Sequence, residues 1–202
     1  MHKGLKNGLF LSFILIVASS QGCTDVAISG AQAVYNRQNI QNNFNDQYIT
    51  MQAFKALNID DHRFKDTNIA IATYNGEVLL AGQAPEDWQR AQAGKIVAQI
   101  PDVKHVYNLV TLSNPSSTLQ RMSDAWITAK VKAKFIASND VDASKIKVVT
   151  ENGTVYLMGI IFPTQADAAV DLASNTDGVG KVVKIFSYLS ISKKESDAIT
   201  KA

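Results

Sequence analysis

Tyr74-Asn75-Gly76-Glu77-Val78-Leu79-Leu80-Ala81-Gly82 returns as Glu151-Asn152-Gly153-Thr154-Val155-Tyr156-Leu157-Met158-Gly159. Each copy has alternating apolar residues, an Asn-Gly pair and a strand that ends in glycine. Asn-Gly is the two-residue hairpin turn, because both central positions of a type I′ turn need positive φ. Upstream, Asp46-Gln47-Tyr48-Ile49-Thr50 returns as Asp124-Ala125-Trp126-Ile127-Thr128 at nearly the same spacing. A fixed period of this length means two copies of one small domain.

The first copy runs over 46–113. Tyr48 to Leu57 is a helix with Ile49, Ala53, Ala56 and Leu57 on one face. Ile69, Ile71 and Thr73 alternate along a strand, and Val78 to Gly82 is the return strand. Pro85, Glu86 and Asp87 suit the first turn of a second helix, whose apolar face is Ala93, Ile96, Val97 and Ile100. Pro101-Asp102 ends it, and Val106 to Leu112 is a third strand. The second copy, 123–192, follows the same plan. Trp126 to Ala137 is a helix, and Lys145 to Glu151 with Thr154 to Ile161 is a hairpin. Thr164 to Asn175 is a helix with Thr164 and Asp167 spaced as a capping box variant, and Lys181 to Ile191 is the last strand. Residues 114–122 are a polar linker. The charged residues 193–202 form a tail expected to be mobile.

Ahead of the repeats stand a short basic start and an apolar run, Leu9 to Val17, which is too short to span a bilayer and matches a secretory leader. Small residues and Gly22 follow, then Cys23, the only cysteine. This arrangement over 1–22 resembles a bacterial lipoprotein signal. That resemblance implies cleavage before Cys23, acylation of Cys23 (palmitate among the chains), and an N-terminal anchor. Position −3 is Ser20 where the motif prefers an aliphatic residue. Thr24 at +2, not aspartate, implies outer-membrane sorting in enteric-type bacteria. An ordinary leader followed by a stray cysteine is the plainer alternative. Residues 23–45 are then a tether, rich in amides from Asn36 to Asn45. As a flexible coil it would span on the order of 26 Å.

Lys+Arg number 20 and Asp+Glu 18. Lys3 and Lys6 fall in the leader, so the remainder is formally balanced. Net charge gives no case for nucleic acid as a partner. Catalytic constellations are missing from the sequence. His2 is in the leader, His62 sits in the charged loop Asp60-Asp61-His62-Arg63, and His105 starts a strand. No pair has metal-ligand spacing, no serine sits in a nucleophile elbow, and no glycine loop cradles phosphate. Neither a metal nor a cofactor is expected, and the chain is not read as an enzyme.

Each copy is helix, strand, strand, helix, strand. That order, the Asn-Gly hairpins, the strand-ending Gly82 and Gly159, and the closing Pro101-Asp102-Val103 and Asp177-Gly178-Val179 elements resemble the BON domain. Two of them behind a lipoprotein signal are similar to the dual BON-domain outer-membrane lipoproteins. The resemblance implies an α+β fold of two tandem BON domains, each with two helices packed on a three-stranded sheet. It also implies attachment at the periplasmic face of the outer membrane and a role in envelope integrity.

The copies differ on one face of the first helix. Tyr48, Gln52 and Ala56 correspond to Trp126, Lys130 and Lys134, at i, i+4 and i+8. Tryptophan favours the headgroup region of a bilayer, and lysines are attracted to anionic lipid. Family resemblance implies that the second domain binds anionic phospholipid through this helix. A solvated lysine face with a core tryptophan is the alternative for the residues. For the whole protein it is an adaptor that contacts envelope assembly or cell-wall machinery. Oligomeric state is not legible in the sequence.

Overall fold

The computed structural model describes residues 30–189, with side chains from residue 41. The leader, Cys23 and the tail 193–202 lie outside the described residues. Both copies fall in one compact unit that begins at Gln38. The elements are α1 (Gly30–Asn58), β1 (Asn68–Tyr74), β2 (Glu77–Ala84), α2 (Asp87–Ala98) and β3 (His105–Leu112). They repeat as α3 (Thr118–Ala137), β4 (Ile146–Glu151), β5 (Thr154–Ile161), α4 (Pro163–Ser174) and β6 (Lys181–Tyr188). Each copy is therefore α+β, with a three-stranded sheet ordered β1-β2-β3 or β4-β5-β6. The hairpins are antiparallel, and the crossover through α2 or α4 returns a strand parallel to the middle one.

Registers match between the copies. Ile69 faces Gly82 across the first hairpin, and Ile146 faces Gly159 across the second. Gly82 has no room for a side chain, since a Cβ there would lie 2.0 Å from the Asn68 carbonyl oxygen. At Gly159 it would lie 2.4 Å from that of Lys145. Asn75 and Gly76 both have positive φ, as do Asn152 and Gly153, which is the type I′ requirement.

Three buried clusters organise the molecule. Ile49, Ala53 and Leu57 of α1 pack with Val78, Leu80, Ala93 and Val97. Ile127, Val131 and Phe135 of α3 pack with Val155, Leu157, Ala166 and Ala169. The third cluster joins the copies. Ala72, Leu79 and Ala81 of the first sheet meet Tyr156, Met158 and Ile185 of the second. Alternate residues of a strand point to opposite faces, so β2 and β5 are buried on both sides. Each sheet thus covers its own helices with one face and the other sheet with the second.

Several boundaries differ from the sequence expectation. α1 starts at Gly30, not at Tyr48, so residues 30–45 of the expected flexible tether are helical. No proline interrupts 30–58, and helix propagation from a nucleated, packed turn costs little. α3 starts at Thr118, where Ser117 caps it by accepting the Gln120 N–H at 3.2 Å. The linker expected over 114–122 is consequently short. The Thr164–Asp167 capping box does not form, because Pro163 opens α4 and Phe162 sits at its N-cap without a side-chain bond. A capping box forms instead in α2, between Glu86 and Gln89. The last strand is described to Tyr188, short of the expected Ile191.

Candidate membrane-docking surface

α3 is held to its sheet by Ile127, Val131 and Phe135, all buried. Its opposite side is open. Trp126 is 66% exposed, and beside it lie Leu119 at 77% and Met122 at 66%. The spacing of these three, i, i+3 and i+7, makes one stripe over the N-terminal half of the helix. Trp126 is therefore not a core residue. Leu119 and Met122 were not singled out in the sequence, because α3 was expected to begin at Trp126.

The lysines continue that stripe toward the C-terminus but are not free. Lys134 Nζ donates to the carbonyl oxygen of Asn175, the C-cap of α4, at 2.6 Å. Lys130 Nζ donates to the carbonyl oxygen of Asp177 and reaches its carboxylate at 3.2 Å. The last carbonyls of a helix lack intrahelical partners, and a lysine that satisfies them also suits the helix dipole. Lys134 thus ties α3 to the end of α4, and Lys130 ties it to the loop that follows. The charge of Lys134 still faces the flank of the stripe, since a carbonyl does not neutralise an ammonium, whereas Lys130 is paired with the Asp177 carboxylate. Lys132 is exposed on another side of the helix.

The first copy has an exposed apolar surface too. Tyr48 lies in a stripe of its own with Phe44 and Met51, all exposed, and Phe54 is exposed beside them. This surface has no lysine until Lys55, which sits 4.0 Å from Asp60. Gln52 and Ala56 are half-buried.

No histidine, cysteine, aspartate and glutamate grouping suited to a metal occurs among the described residues. His105 stacks edge-on against Tyr107 at 4.4 Å between ring centroids. His62 lies beside the Asp61–Arg63 pair, where the Arg63 guanidinium holds the Asp61 carboxyl below its usual range. No described helix is long and apolar enough to cross a membrane.

The BON domain model matches residues 45–114 and again 123–189. The chain belongs to the BON-domain family. Its domains are two, in tandem, as the repeat requires. Among similar proteins, the outer membrane lipoprotein DolP of Haemophilus influenzae is 34% identical over 84% of this chain and 90% of its own length. The 21 kDa hemolysin of Actinobacillus pleuropneumoniae is 36% identical over 71% of this chain and 74% of its own. Osmotically-inducible protein Y of Escherichia coli is 29% identical over 76% of this chain and 78% of its own. The chain is thus a dual BON-domain protein similar to an outer-membrane lipoprotein over 84% of its length.

Proposed function

We propose that this protein is a lipid-anchored lipoprotein of the outer membrane, facing the periplasm, that binds anionic phospholipid through α3 and supports envelope integrity without catalysing a reaction. Likeness to DolP, an outer membrane lipoprotein by name, supports the location. Cys23 is the acylated N-terminus in this reading. One observation carries the binding role: Leu119, Met122 and Trp126 form an exposed apolar stripe on a helix whose opposite face is fully packed. Stable soluble surfaces seldom leave a tryptophan and two large aliphatic side chains together in water. An interfacial helix buries such a stripe at the headgroup boundary, with cations at its flank. Lys134 supplies flanking charge, at about 1 kcal/mol near an anionic leaflet, and Lys130 adds to it by exchanging the Asp177 carboxylate for a lipid headgroup. The acyl anchor holds the second domain near the surface, so that a weak headgroup preference is amplified by effective concentration.

Cosedimentation of the unacylated protein with anionic and neutral vesicles tests this. Binding to anionic vesicles that weakens in high salt and is lost in Trp126→Ala is the expected result. Equal binding by parent and variant would remove α3 from the interaction.

A second reading rests on the stripe Phe44, Tyr48 and Met51 of α1. It is apolar but poor in cations, which suits a protein partner in the envelope better than an anionic surface. A pull-down that depends on Phe44 and Tyr48 but not on Trp126 would support an adaptor role.

A further inference from the structure

Two half-buried ionisable side chains lie in the seam between the domains, both from β4. Glu151 accepts a hydrogen bond from the Asn68 amide of β1 at 2.9 Å, and Lys147 Nζ donates to the Thr73 carbonyl of β1 at 2.7 Å. Between them the seam is apolar, lined by Ala72, Leu79, Tyr156 and Met158. Asn68 is shared. Its amide also donates to Gln83 Oε1 at 2.9 Å, and Gln83 in turn accepts the Ser116 N–H of the linker at 3.1 Å. Glu151 therefore plugs into a network made entirely by the first domain and the linker. The matching residue of the first copy is Tyr74, which is not a carboxylate.

We propose that Glu151 is a proton-operated latch: with its carboxyl neutral the two domains stay docked sheet to sheet, and with it ionised the seam loosens.

The groups facing Glu151 favour the neutral form. Burial is the largest influence, followed by the carboxylate of Asp124 on α3. The amides of Asn68 and Gln83 and the cation of Arg121 on α3 oppose them, and Tyr156 of β5 lies near enough to feel the charge. Asp124 cannot move aside, because both its oxygens are held by backbone N–H groups of the Asn152-Gly153 turn. Arg121 is committed to the linker through the Ser116 carbonyl. The balance raises the Glu151 carboxyl to about 7. Lys147, on the same strand, is pushed the other way by burial, with Asp46 opposing and Lys132 assisting.

The direction of the effect follows from linkage. A carboxyl whose pKa is higher docked than undocked adds most to docking below its undocked value, and that contribution is lost as pH rises through about 7. Above 7 the opening equilibrium is constant again. Only the burial that the first domain adds counts toward opening, since Asp124 and Arg121 stay beside Glu151 when the sheets part. The carboxyl keeps part of its solvent, so roughly tenfold or more is expected.

The test uses the full chain with Ala81→Cys, a position fully buried in the seam. Its labelling by a thiol reagent, read by peptide mass spectrometry, reports opening. The same measurement is made with Glu151→Gln added, which keeps an acceptor for Asn68 but cannot ionise. The ratio of the two rates cancels the thiol's own pH dependence. We expect a ratio near one at pH 4.5, rising at least tenfold by pH 8 and level beyond. A ratio that stays flat overturns the latch. Carbon-13 NMR of the Glu151 carboxyl in the parent chain is the second measurement. A midpoint near 7 is expected, and a midpoint in the ordinary carboxylate range overturns it whatever the variant does.

Discussion

Oδ1 of Asp124 accepts the backbone N–H of Gly153 at 2.9 Å, and Oδ2 accepts that of Asn152 at 2.8 Å. The first copy does the same, with Asp46 bonded to Asn75 at 2.6 Å and Gly76 at 2.8 Å. A second link follows one helical turn on. Thr50 donates to Thr73 at 2.8 Å, and Thr128 donates to Thr150 at 2.7 Å. The two motifs whose recurrence reveals the duplication are thus one device in space. A carboxylate on the first helix closes the hairpin turn, and a threonine on the same helix reaches the strand beside it.

Removing that carboxylate should be costly, because two N–H groups, at least partly shielded from water, lose their acceptor together. Asp124→Ala is expected to lower unfolding stability by about 2–4 kcal/mol, and Asp46→Ala by a similar amount. Asp124→Asn should lose less, since one amide oxygen can still accept. Urea unfolding of each variant measures this. A loss below about 0.5 kcal/mol in both alanine variants would mean the turns hold themselves.

Gly159→Ala should be more damaging than a usual glycine replacement. The backbone there is not in the left-handed region, so the obstacle is space alone. The new methyl would meet the Lys145 carbonyl at 2.4 Å, which is backbone and cannot step aside cheaply. A loss of more than about 2 kcal/mol is expected, against about 0.5–1 kcal/mol gained where alanine fits. Thermal unfolding of the variant decides between them.

The duplicated elements were legible because period and turn chemistry are local. Asn-Gly, alternating strands and strand-ending glycines depend on neighbours along the chain. Helix starts were less so. Thr118 to Ala125 and residues 30–45 are polar or lack a clean apolar face, so no periodicity marks them, and Ser117 as an N-cap looks like any linker serine. The seam was not legible. Tyr156 and Met158 alternate with core residues in either a one-sided or a two-sided sheet, and only the partner sheet tells which. Trp126 was found from a difference between copies. Leu119 and Met122 were missed with the helix start. The bonds of Lys130 and Lys134 to the end of α4 and the loop that follows join residues far apart in sequence, which spacing on one helix cannot show.

The seam predicts an asymmetric response to a new charge. Met158 is buried between the sheets, away from either helix-covered core. Met158→Asp should separate the domains while each keeps its helices, because an unpaired carboxylate in an apolar seam is expensive only while the seam is closed. Val155→Asp, on the helix-covered face, should unfold the second domain. Far-ultraviolet circular dichroism together with small-angle scattering separates the outcomes: retained helicity with a larger radius for the first, lost helicity for the second.

Charge reversal on α3 should affect more than membrane attraction. On a solvated lysine face, Lys130→Glu with Lys134→Glu would leave the thermal midpoint nearly unchanged. The structure changes that expectation, since Lys134 holds the C-cap carbonyl of α4 and Lys130 holds the Asp177 carbonyl in the loop that follows. Glutamates there would leave those carbonyls without donors and set negative charge at the negative end of a helix dipole. A loss of about 1–2 kcal/mol follows, or roughly 2–8 °C in the midpoint. Trp126→Ala and Met122→Ala remove exposed side chains and should stay within about 0.5 kcal/mol of the parent. Vesicle binding that falls in the tryptophan and methionine variants at unchanged midpoint would place the interaction on the apolar stripe itself. Binding that falls only in the lysine variants, in step with their midpoints, would mean that α3 acts through the stability of the domain and not through contact with lipid.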